Sequence, residues 1–287
     1  MAKAIAYIQE KKKAERELEI AQEIQNSFLV KDYPQPAGWE ISTRIRPARQ
    51  VSGDFYDLFP ISTSKQIALV IADVCDKGVG AAMYMAIFRS LLRAYSDQQY
   101  IMRWAGVPKN DPIDSPSVVF RKDARLASGA PSLKNAIDLA NNYIATHHGN
   151  SNMFATVFFG LLNPEDGTLL YINAGHEPPL LLSNGTLKTR LLPMGPAAGM
   201  LPNMDFKMEW VILNAGDSVL LFTDGVTDAL NANRELFSSE ERLIETSRRS
   251  AGNANSLLNH LISTVDAHIA GHEQYDDITL VAVQRKA

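Results

Sequence analysis

The sequence lacks the features that mark several large classes of protein. It contains a single cysteine, Cys75, so no disulfide can form within the chain, and a reducing compartment such as the cytoplasm is expected. No apolar run approaches the roughly 20 residues that a membrane helix needs, and residues 1–10 lack the apolar core of a secretory signal. The formal charge of −4 gives no excess of positive charge for tight binding to a phosphate backbone. We therefore expect no nucleic-acid partner and no membrane span within this chain.

The first 29 residues predict one helix, because they contain no glycine or proline and are rich in strong helix formers. Two interpretations of this helix remain open: a solvated helix, or a short coiled coil that makes a homodimer or connects to an upstream sensor. We assign residues 1–33 to this helical extension and residues 34–287 to one domain. Such a start also suits the cytoplasmic part of a longer, membrane-anchored sensor.

From Trp39 onward, short apolar segments separated by turn residues predict strands. The run Ile67–Ala72 is apolar throughout, which is typical of a strand buried on both faces. Residues 96–131 contain four prolines and little periodicity, which indicates an insert or flap. Strands are predicted at 39–47, 55–61, 66–72, 154–162, 169–173, 179–182, 210–213, 218–223 and 277–284. Helices are predicted at 78–95, 132–147, 240–249 and 254–272. This pattern favours an α+β sandwich, with two sheets and the helices outside them.

Aspartates stand at the ends of four predicted strands. They occur in Ser52-Gly53-Asp54, Ile71-Ala72-Asp73, Phe222-Thr223-Asp224-Gly225 and Tyr275-Asp276-Asp277-Ile278-Thr279. A carboxylate where a buried strand emerges needs a positive partner, and no Lys or Arg recurs beside these positions. A hard divalent cation such as Mg²⁺ or Mn²⁺ supplies that charge and takes oxygen ligands. Any one segment is better explained as a turn, so the conjunction of the four is what indicates a metal site.

The order of these motifs resembles the bacterial PPM (PP2C-type) serine/threonine phosphatases, in the SpoIIE/RsbU-like subgroup of sporulation and stress-response phosphatases. The resemblance extends over residues 21–283 and implies a PP2C-like β-sandwich of two antiparallel sheets flanked by pairs of α-helices. Its first half rests on Gln25, Pro47-Ala48, Val51-Ser52-Gly53-Asp54-Phe55-Tyr56-Asp57, Asp73-Val74-Cys75-Asp76-Lys77-Gly78 and Ala81-Ala82-Met83. Its second half rests on Phe154-Ala155-Thr156, Ala174-Gly175-His176-Glu177-Pro178-Pro179, Gly216-Asp217, Thr223-Asp224-Gly225-Val226-Thr227-Asp228-Ala229 and Asp276-Asp277-Ile278-Thr279-Leu280.

The resemblance implies a site for two Mn²⁺ or Mg²⁺ ions, with a third ion as an alternative. Asp73 would bridge the two ions, and the backbone carbonyl of Val74 would help to hold one of them. Asp224 and Asp276 would complete the site for the other ion, with Asp277 the less favoured of the adjacent pair.

The resemblance also implies the chemistry. Asp54 would bind a metal directly or through water, and a metal-bridging hydroxide would attack the phosphorus in line, with no phospho-enzyme. Apart from the resemblance, Lys77 is a candidate for contact with the substrate phosphate, with an exposed lysine in a turn as the commoner interpretation. Asp57 and Asp228 are weaker candidates for outer or third-metal carboxylates. The implied catalytic residues are Asp54, Asp73 and Asp224.

The implied substrate is a phosphoserine or phosphothreonine on a partner protein, usually a small STAS-type anti-sigma-antagonist of a partner-switching pathway. Two other functions remain to be weighed: a catalytically silent scaffold with this fold, and a two-metal hydrolase of other phosphoesters. The presence of all four acidic segments argues against the scaffold. The acidic net charge argues against a nucleic-acid substrate.

Some residues depart from the subgroup or invite other interpretations. Ser52 and Asp76 each stand where the subgroup usually has glycine, and the insert at 96–131 is longer than expected. Cys75 is interpreted as a packed side chain, because no arginine of a cysteine-phosphatase loop follows it. His176 is interpreted as a structural residue that ties a turn.

Overall fold

The structure is a computed structural model that describes residues 2–30, 32–62, 64–96, 130–237, 240–249 and 253–287. Most of the expected insert at 96–131 lies outside the described residues. The elements run in the order α1 (Ala2–Phe28), β1 (Trp39–Arg46), β2 (Phe55–Pro60), β3 (Ile67–Val74), α2 (Val79–Ser96), α3 (Ala130–His147), β4 (Ala155–Leu162), β5 (Thr168–Ala174), β6 (Leu180–Ser183), β7 (Thr186–Arg190), β8 (Glu209–Ile212), β9 (Asp217–Phe222), α4 (Asp224–Thr227), α5 (Glu240–Arg249), α6 (Ala254–Ile269) and β10 (Ile278–Arg285). A single 3₁₀ turn, Gly149–Ser151, follows α3.

The strands form two five-stranded antiparallel sheets. The first sheet has the order β1-β10-β9-β6-β7, and the second has the order β2-β3-β4-β5-β8. The two sheets pack face to face through an apolar layer, with α2 and α3 covering the outer face of the second sheet. Helices α5 and α6 cover the outer face of the first sheet. The expected α+β sandwich of two antiparallel sheets with helices outside is confirmed.

Strand β3 shows how the sequence produces this order of helices, two sheets and helices. Its side chains alternate in direction, as in any strand. Ala68 and Val70 point into the layer beneath α2 and α3, whereas Leu69 and Ile71 point into the layer between the sheets. Because both faces are buried, every position of the run is apolar, and the expectation of a doubly buried strand is confirmed.

Among the described residues, helix α1 is anchored near its C-terminal end. Gln25 is buried there, and its side-chain amide bonds to both the backbone N–H (2.9 Å) and the carbonyl (2.6 Å) of Ser52. Earlier in the helix, Ile5, Ile8 and Ile20 are each at least half exposed. The helix therefore docks on the sandwich next to the Ser52-Gly53-Asp54 segment, while most of its length faces solvent.

The structure adds one strand that the sequence did not predict, β7. Its five residues, Thr186–Arg190, are mostly exposed on both faces, so they lack the apolar alternation that marks the other strands. The strand forms because it pairs with β6 across the turn at Asn184-Gly185. None of the described helices combines the length and the apolar character that a membrane crossing requires.

Candidate active site

Both sheets bring aspartates to the same end of the sandwich. In the second sheet, Asp54 directly precedes β2 and Asp73 lies near the end of β3, and these two strands are antiparallel neighbours. In the first sheet, Asp224 follows β9, whereas Asp276 and Asp277 precede β10, and these strands are also antiparallel neighbours. The end of one strand therefore meets the start of the next in each sheet, and the four segments face one another as expected.

Two glycines let the backbone approach closely enough to form this site. A Cβ atom at Gly53 would stand 2.8 Å from the carbonyl oxygen of Val74, closer than real side chains pack. A Cβ atom at Gly225 would collide with the carbonyl oxygen of Asp277. Glycine at these positions therefore sets Asp54 beside the Val74 carbonyl and sets Asp224 beside the start of β10.

The aspartates of the site are buried near one another, and this raises the pKa values of three of them. Burial raises the pKa of the Asp73 carboxyl to about 7, and the negative charge of Asp224 adds to the effect. Burial likewise raises the pKa of Asp224 to about 6, with Asp276 and Asp228 contributing repulsion. The pKa of Asp54 is also well above its usual range, because it is fully buried and close to Asp73. The site thus carries negative charge that the surrounding protein compensates poorly.

Thr223 fixes the carboxylate of Asp54 from the opposite sheet. Its hydroxyl donates a hydrogen bond of 2.7 Å to Asp54 Oδ2 and accepts one of 3.0 Å from the backbone N–H of Thr279. This role of Thr223 was not predicted from the sequence. The signal in the sequence is its position directly before Asp224, since the direction of its hydroxyl depends on how the sheets pack.

The carboxylate of Asp277 binds the protein backbone. Its two oxygens accept hydrogen bonds from the N–H groups of Ala48 (2.6 Å) and Gly53 (3.0 Å). The carboxylate therefore closes the loop that carries Asp54. This contact favours Asp276 over Asp277 as the metal-binding member of the pair.

A basic side chain does lie beside the acids, contrary to the expectation from sequence. Lys77 Nζ is 2.8 Å from Asp276 Oδ2, donates a hydrogen bond of 2.9 Å to the carbonyl of Tyr275, and lies 4.4 Å from the centre of the Tyr275 ring. The sequence could not show this pair, because the two residues are far apart along the chain. Lys77 pairs with Asp276 and also opposes the rise in the pKa of Asp228, but the pKa values of Asp73 and Asp224 remain raised.

Two further carboxylates differ in their surroundings. Asp228 lies at the site, where burial and the charge of Asp276 raise its pKa. Asp57 instead forms a buried cluster with α2, in which Arg93 donates two hydrogen bonds of 2.9 and 2.6 Å and Arg89 Nε lies 3.3 Å away. Asp57 is therefore already neutralised by arginine and is poorly suited to bind a metal.

The residues present fit a hard cation, although the described side chains do not yet form a cage. Within the described ranges, no three histidine, cysteine, aspartate or glutamate side chains are arranged so that they could hold an ion as they stand. Asp54, Asp276 and Asp277 direct oxygens at protein donors instead. The candidate donors are nevertheless carboxylates and the backbone carbonyl of Val74, and such oxygen ligands are the ones that Mg²⁺ and Mn²⁺ prefer.

Cys75 and His176, which the sequence indicated to be structural residues, form hydrogen bonds within the fold. Cys75 is half-buried, and its sulfur accepts a hydrogen bond of 3.2 Å from the N–H of Phe154. His176 is buried, with its ring bonded to Thr156. Asp76 has a φ of 70°, the left-handed region that favours glycine, which explains why the subgroup usually has glycine there.

Comparisons with known proteins identify the family of the chain. The family model for Stage II sporulation protein E (SpoIIE) matches residues 63–286. Protein IcfG of Synechocystis sp. is 41% identical over 273 residues, which cover 94% of this chain and 41% of IcfG. Phosphoserine phosphatase RsbU of Bacillus subtilis is 27% identical over 272 residues, which cover 94% of this chain and 70% of RsbU. The chain thus spans less than half the length of IcfG.

Solved structures show the same fold. The SiaA-PP2C domain of Pseudomonas aeruginosa superposes with a TM-score of 0.70 at 18% identity, over 96% of this chain and 98% of that one. The catalytic domain of the serine/threonine phosphatase PstP, solved with two manganese ions, gives a TM-score of 0.55 at 17% identity, over 87% of this chain and 99% of that one. The chain therefore belongs to the Stage II sporulation protein E (SpoIIE) family and has the fold of the PP2C domains.

Proposed function

We propose that this chain removes phosphate from phosphoserine or phosphothreonine of a partner protein in a reaction that depends on Mn²⁺ or Mg²⁺. One observation carries the proposal: buried aspartates from both sheets converge at one end of the sandwich. Burial, with mutual repulsion added, raises the pKa values of Asp73 and Asp224, so their ionised forms need a positive partner such as a divalent cation. The manganese ions of PstP, which shares the fold, support a divalent cation here.

The residues proposed to hold two ions are Asp73 between them, the Val74 carbonyl, Asp224 and Asp276, with Asp54 bound directly or through water. When bound, the ions supply charge that binds the phosphate and lowers the pKa of a water molecule so that it can attack phosphorus. Thr223 holds Asp54 in orientation through its 2.7 Å hydrogen bond. Asp277 contributes by closing the loop in front of Asp54 rather than by binding an ion.

Lys77 is proposed to contact the substrate phosphate. Lys77 pairs with Asp276 at the acidic site and is partly exposed. A divalent cation held by Asp276 would compete with Lys77 for that carboxylate, so the ammonium group could then contact an incoming anion while it keeps its contacts with Tyr275.

The proposed phosphatase activity is tested with p-nitrophenyl phosphate and a phosphoserine peptide, in Mn²⁺ and in EDTA. We expect turnover only with the metal. Asp224→Asn should lower the rate at least about 100-fold, because it removes charge needed in the transition state. Asp266→Asn is the matched control, since Asp266 pairs with Arg46 on the surface, outside the site. Absence of metal-dependent turnover with every phosphomonoester would favour the silent scaffold.

The partner is proposed to be a small anti-sigma-antagonist-like phosphoprotein of a partner-switching pathway, in the cytoplasm. The support is the similarity to RsbU, whose name records a phosphoserine phosphatase. Incubation with candidate phosphoproteins, read by phosphate release and mass spectrometry of the product, tests this. Equal rates on unrelated phosphopeptides would contradict a dedicated protein partner.

Residues 1–33 are proposed to mediate homodimerisation, with residues 34–287 as the phosphatase domain. The support is the exposed apolar side chains along α1, among them Ile5, Ile8 and Ile20. Ile5→Glu combined with Ile8→Glu should halve the mass measured by light scattering, because charge would be placed at the interface. These positions lie far from the anchoring residue Gln25, so docking of α1 is preserved. An unchanged mass would contradict this assignment.

A further inference from the structure

The connection between β5 and β6 crosses from one sheet to the other. Strand β5 ends at Ala174 in the second sheet, and β6 begins at Leu180 in the first sheet. His176 lies in this crossing and is only 2% exposed. A buried imidazole between two sheets can contact both of them. Its hydrogen bonds show whether it helps to hold the strands that carry Asp73 and Asp224.

One edge of the His176 ring faces the strand pair that carries Asp73. His176 Nδ1 lies 2.9 Å from the hydroxyl oxygen of Thr156. Thr156 stands directly opposite Asp73 in the β3–β4 ladder. Side chains of directly opposed residues share one face of the sheet, with Cβ atoms about 5 Å apart. The hydrogen bond therefore fixes a neighbour of the Asp73 carboxylate.

The segment that carries His176 leads into the strand beside β9, and Asp224 follows the end of β9. Four residues after His176 the chain enters β6, and β6 pairs with β9. His176 Nε2 is fully buried and makes no hydrogen bond within the described part of the chain. His176 therefore links β4 of the second sheet, through its ring, to β6 and β9 of the first sheet, through its backbone.

The ring is held in place and carries no charge. The backbone N–H of His176 donates a hydrogen bond of 2.8 Å to Asn173 Oδ1, and Asn173 Nδ2 donates one of 2.9 Å to the carbonyl of Leu191. Burial lowers the pKa of His176 to about 3, against the opposing effect of the Phe222 backbone. The imidazole is therefore neutral at physiological pH, with one donor and one acceptor nitrogen. It is suited to hold groups in place rather than to transfer protons.

We propose that His176 is a positioning residue that sets the separation of Asp73 and Asp224 by bracing the two sheets at the active-site end. This assignment goes beyond the tie within a turn that the sequence suggested. It rests on the proposed function, because the separation matters only if the two aspartates share metal ions. Residues that orient metal ligands typically change metal affinity 10- to 100-fold when mutated. His176 acts through Thr156 and the backbone, so the lower end of that range is expected.

Mn²⁺ binding to the full chain, measured by isothermal titration calorimetry, tests the proposal without relying on turnover. His176→Phe keeps a ring of similar shape but loses both nitrogens, so its Kd for Mn²⁺ should rise about tenfold. His176→Asn retains a polar atom near the position of Nδ1 and should recover part of the affinity. It also serves as the test variant if His176→Phe does not fold.

Trp39→Phe is the matched control for a purely structural effect. The Trp39 ring N–H donates a hydrogen bond of 3.0 Å to the carbonyl of Pro164 at the opposite end of the sandwich. Its loss should lower stability but leave the Mn²⁺ affinity unchanged. If the wild-type chain binds Mn²⁺ and His176→Phe binds it equally well, only the role of His176 is overturned. If the wild-type chain binds no Mn²⁺, the proposed function falls as well, and the two failures are distinguished.

Discussion

Replacing Asp73 with asparagine should stabilise the protein in the absence of metal, although it removes the proposed bridging ligand. Asp73 is buried beside Asp224, so its ionised form is disfavoured in the folded state. Asparagine has nearly the same shape and carries no charge. The substitution therefore relieves the repulsion and most of the desolvation of the carboxylate.

The magnitude follows from the pKa. The folded environment raises the pKa of Asp73 from 3.8 to about 7. Roughly three units at about 1.4 kcal/mol each mean that ionising Asp73 at pH 8 costs the folded state about 4 kcal/mol. The asparagine amide still has to be buried, so we expect a net gain of about 2 to 4 kcal/mol in the free energy of unfolding.

The pH dependence has a defined sign. Because the pKa of Asp73 is higher in the folded than in the unfolded chain, the folded state binds more protons between these two values. The stability that protonated Asp73 contributes is fully present below pH 3.8 and is lost as the pH rises through about 7. The advantage of Asp73→Asn should therefore be largest at pH 8, about half as large at pH 5.5, and absent near pH 4.

Equilibrium unfolding in urea, with EDTA and at several pH values, measures this difference. Repeating the pH 8 experiment with Mn²⁺ should reverse the order of stability, because only the wild-type chain gains from binding the ion. An Asp73→Asn variant that is no more stable than wild type at pH 8 in EDTA would refute the argument. It would show that some positive group already compensates Asp73.

Two further substitutions test residues near the site. Asp57→Asn should lower the free energy of unfolding by about 3 kcal/mol, because Arg89 would keep a mostly buried charge without its partner. Mn²⁺ affinity should not change, and a lost affinity would restore Asp57 as a metal ligand. Asp76→Ala should lower stability in urea by about 1 kcal/mol, whereas Asp76→Gly should not, since a φ of 70° is strained for alanine and free for glycine. Equal effects of alanine and glycine would show that the aspartate side chain matters more than the backbone.

Local patterns were sufficient to predict most elements of this fold. The run at Ile67–Ala72 predicted a doubly buried strand, because only a strand between two apolar layers has apolar residues at every position. Strand β7 was not predicted, because Thr186–Arg190 is mostly exposed. The strand forms through its hydrogen-bonded pairing with β6 and not through burial of its side chains. Periodicity reports burial, so it cannot detect a strand that is hardly buried.

The acidic site was predicted in outline but not in detail. Four aspartate segments at strand ends indicated that the acids meet, because antiparallel neighbours bring ends and starts together. The sequence favoured Asp276 over Asp277 only through the resemblance. Adjacent residues of an extended segment point in opposite directions, but the sequence does not say which of the two faces the site. The hydrogen bonds of Asp277 to Ala48 and Gly53 separate them, and they depend on a loop more than 200 residues away.

The sequence by itself determined the alternation of strands and helices, the order of the acidic segments and the family to which they belong, because these are properties of short stretches of chain. Only the tertiary structure decided which partner each acid takes: Thr223 for Asp54, Lys77 for Asp276 and backbone N–H groups for Asp277. Such partners come from remote segments that meet only when the two sheets pack. Their identity is therefore fixed by the packing of the sheets and not by neighbours in the chain.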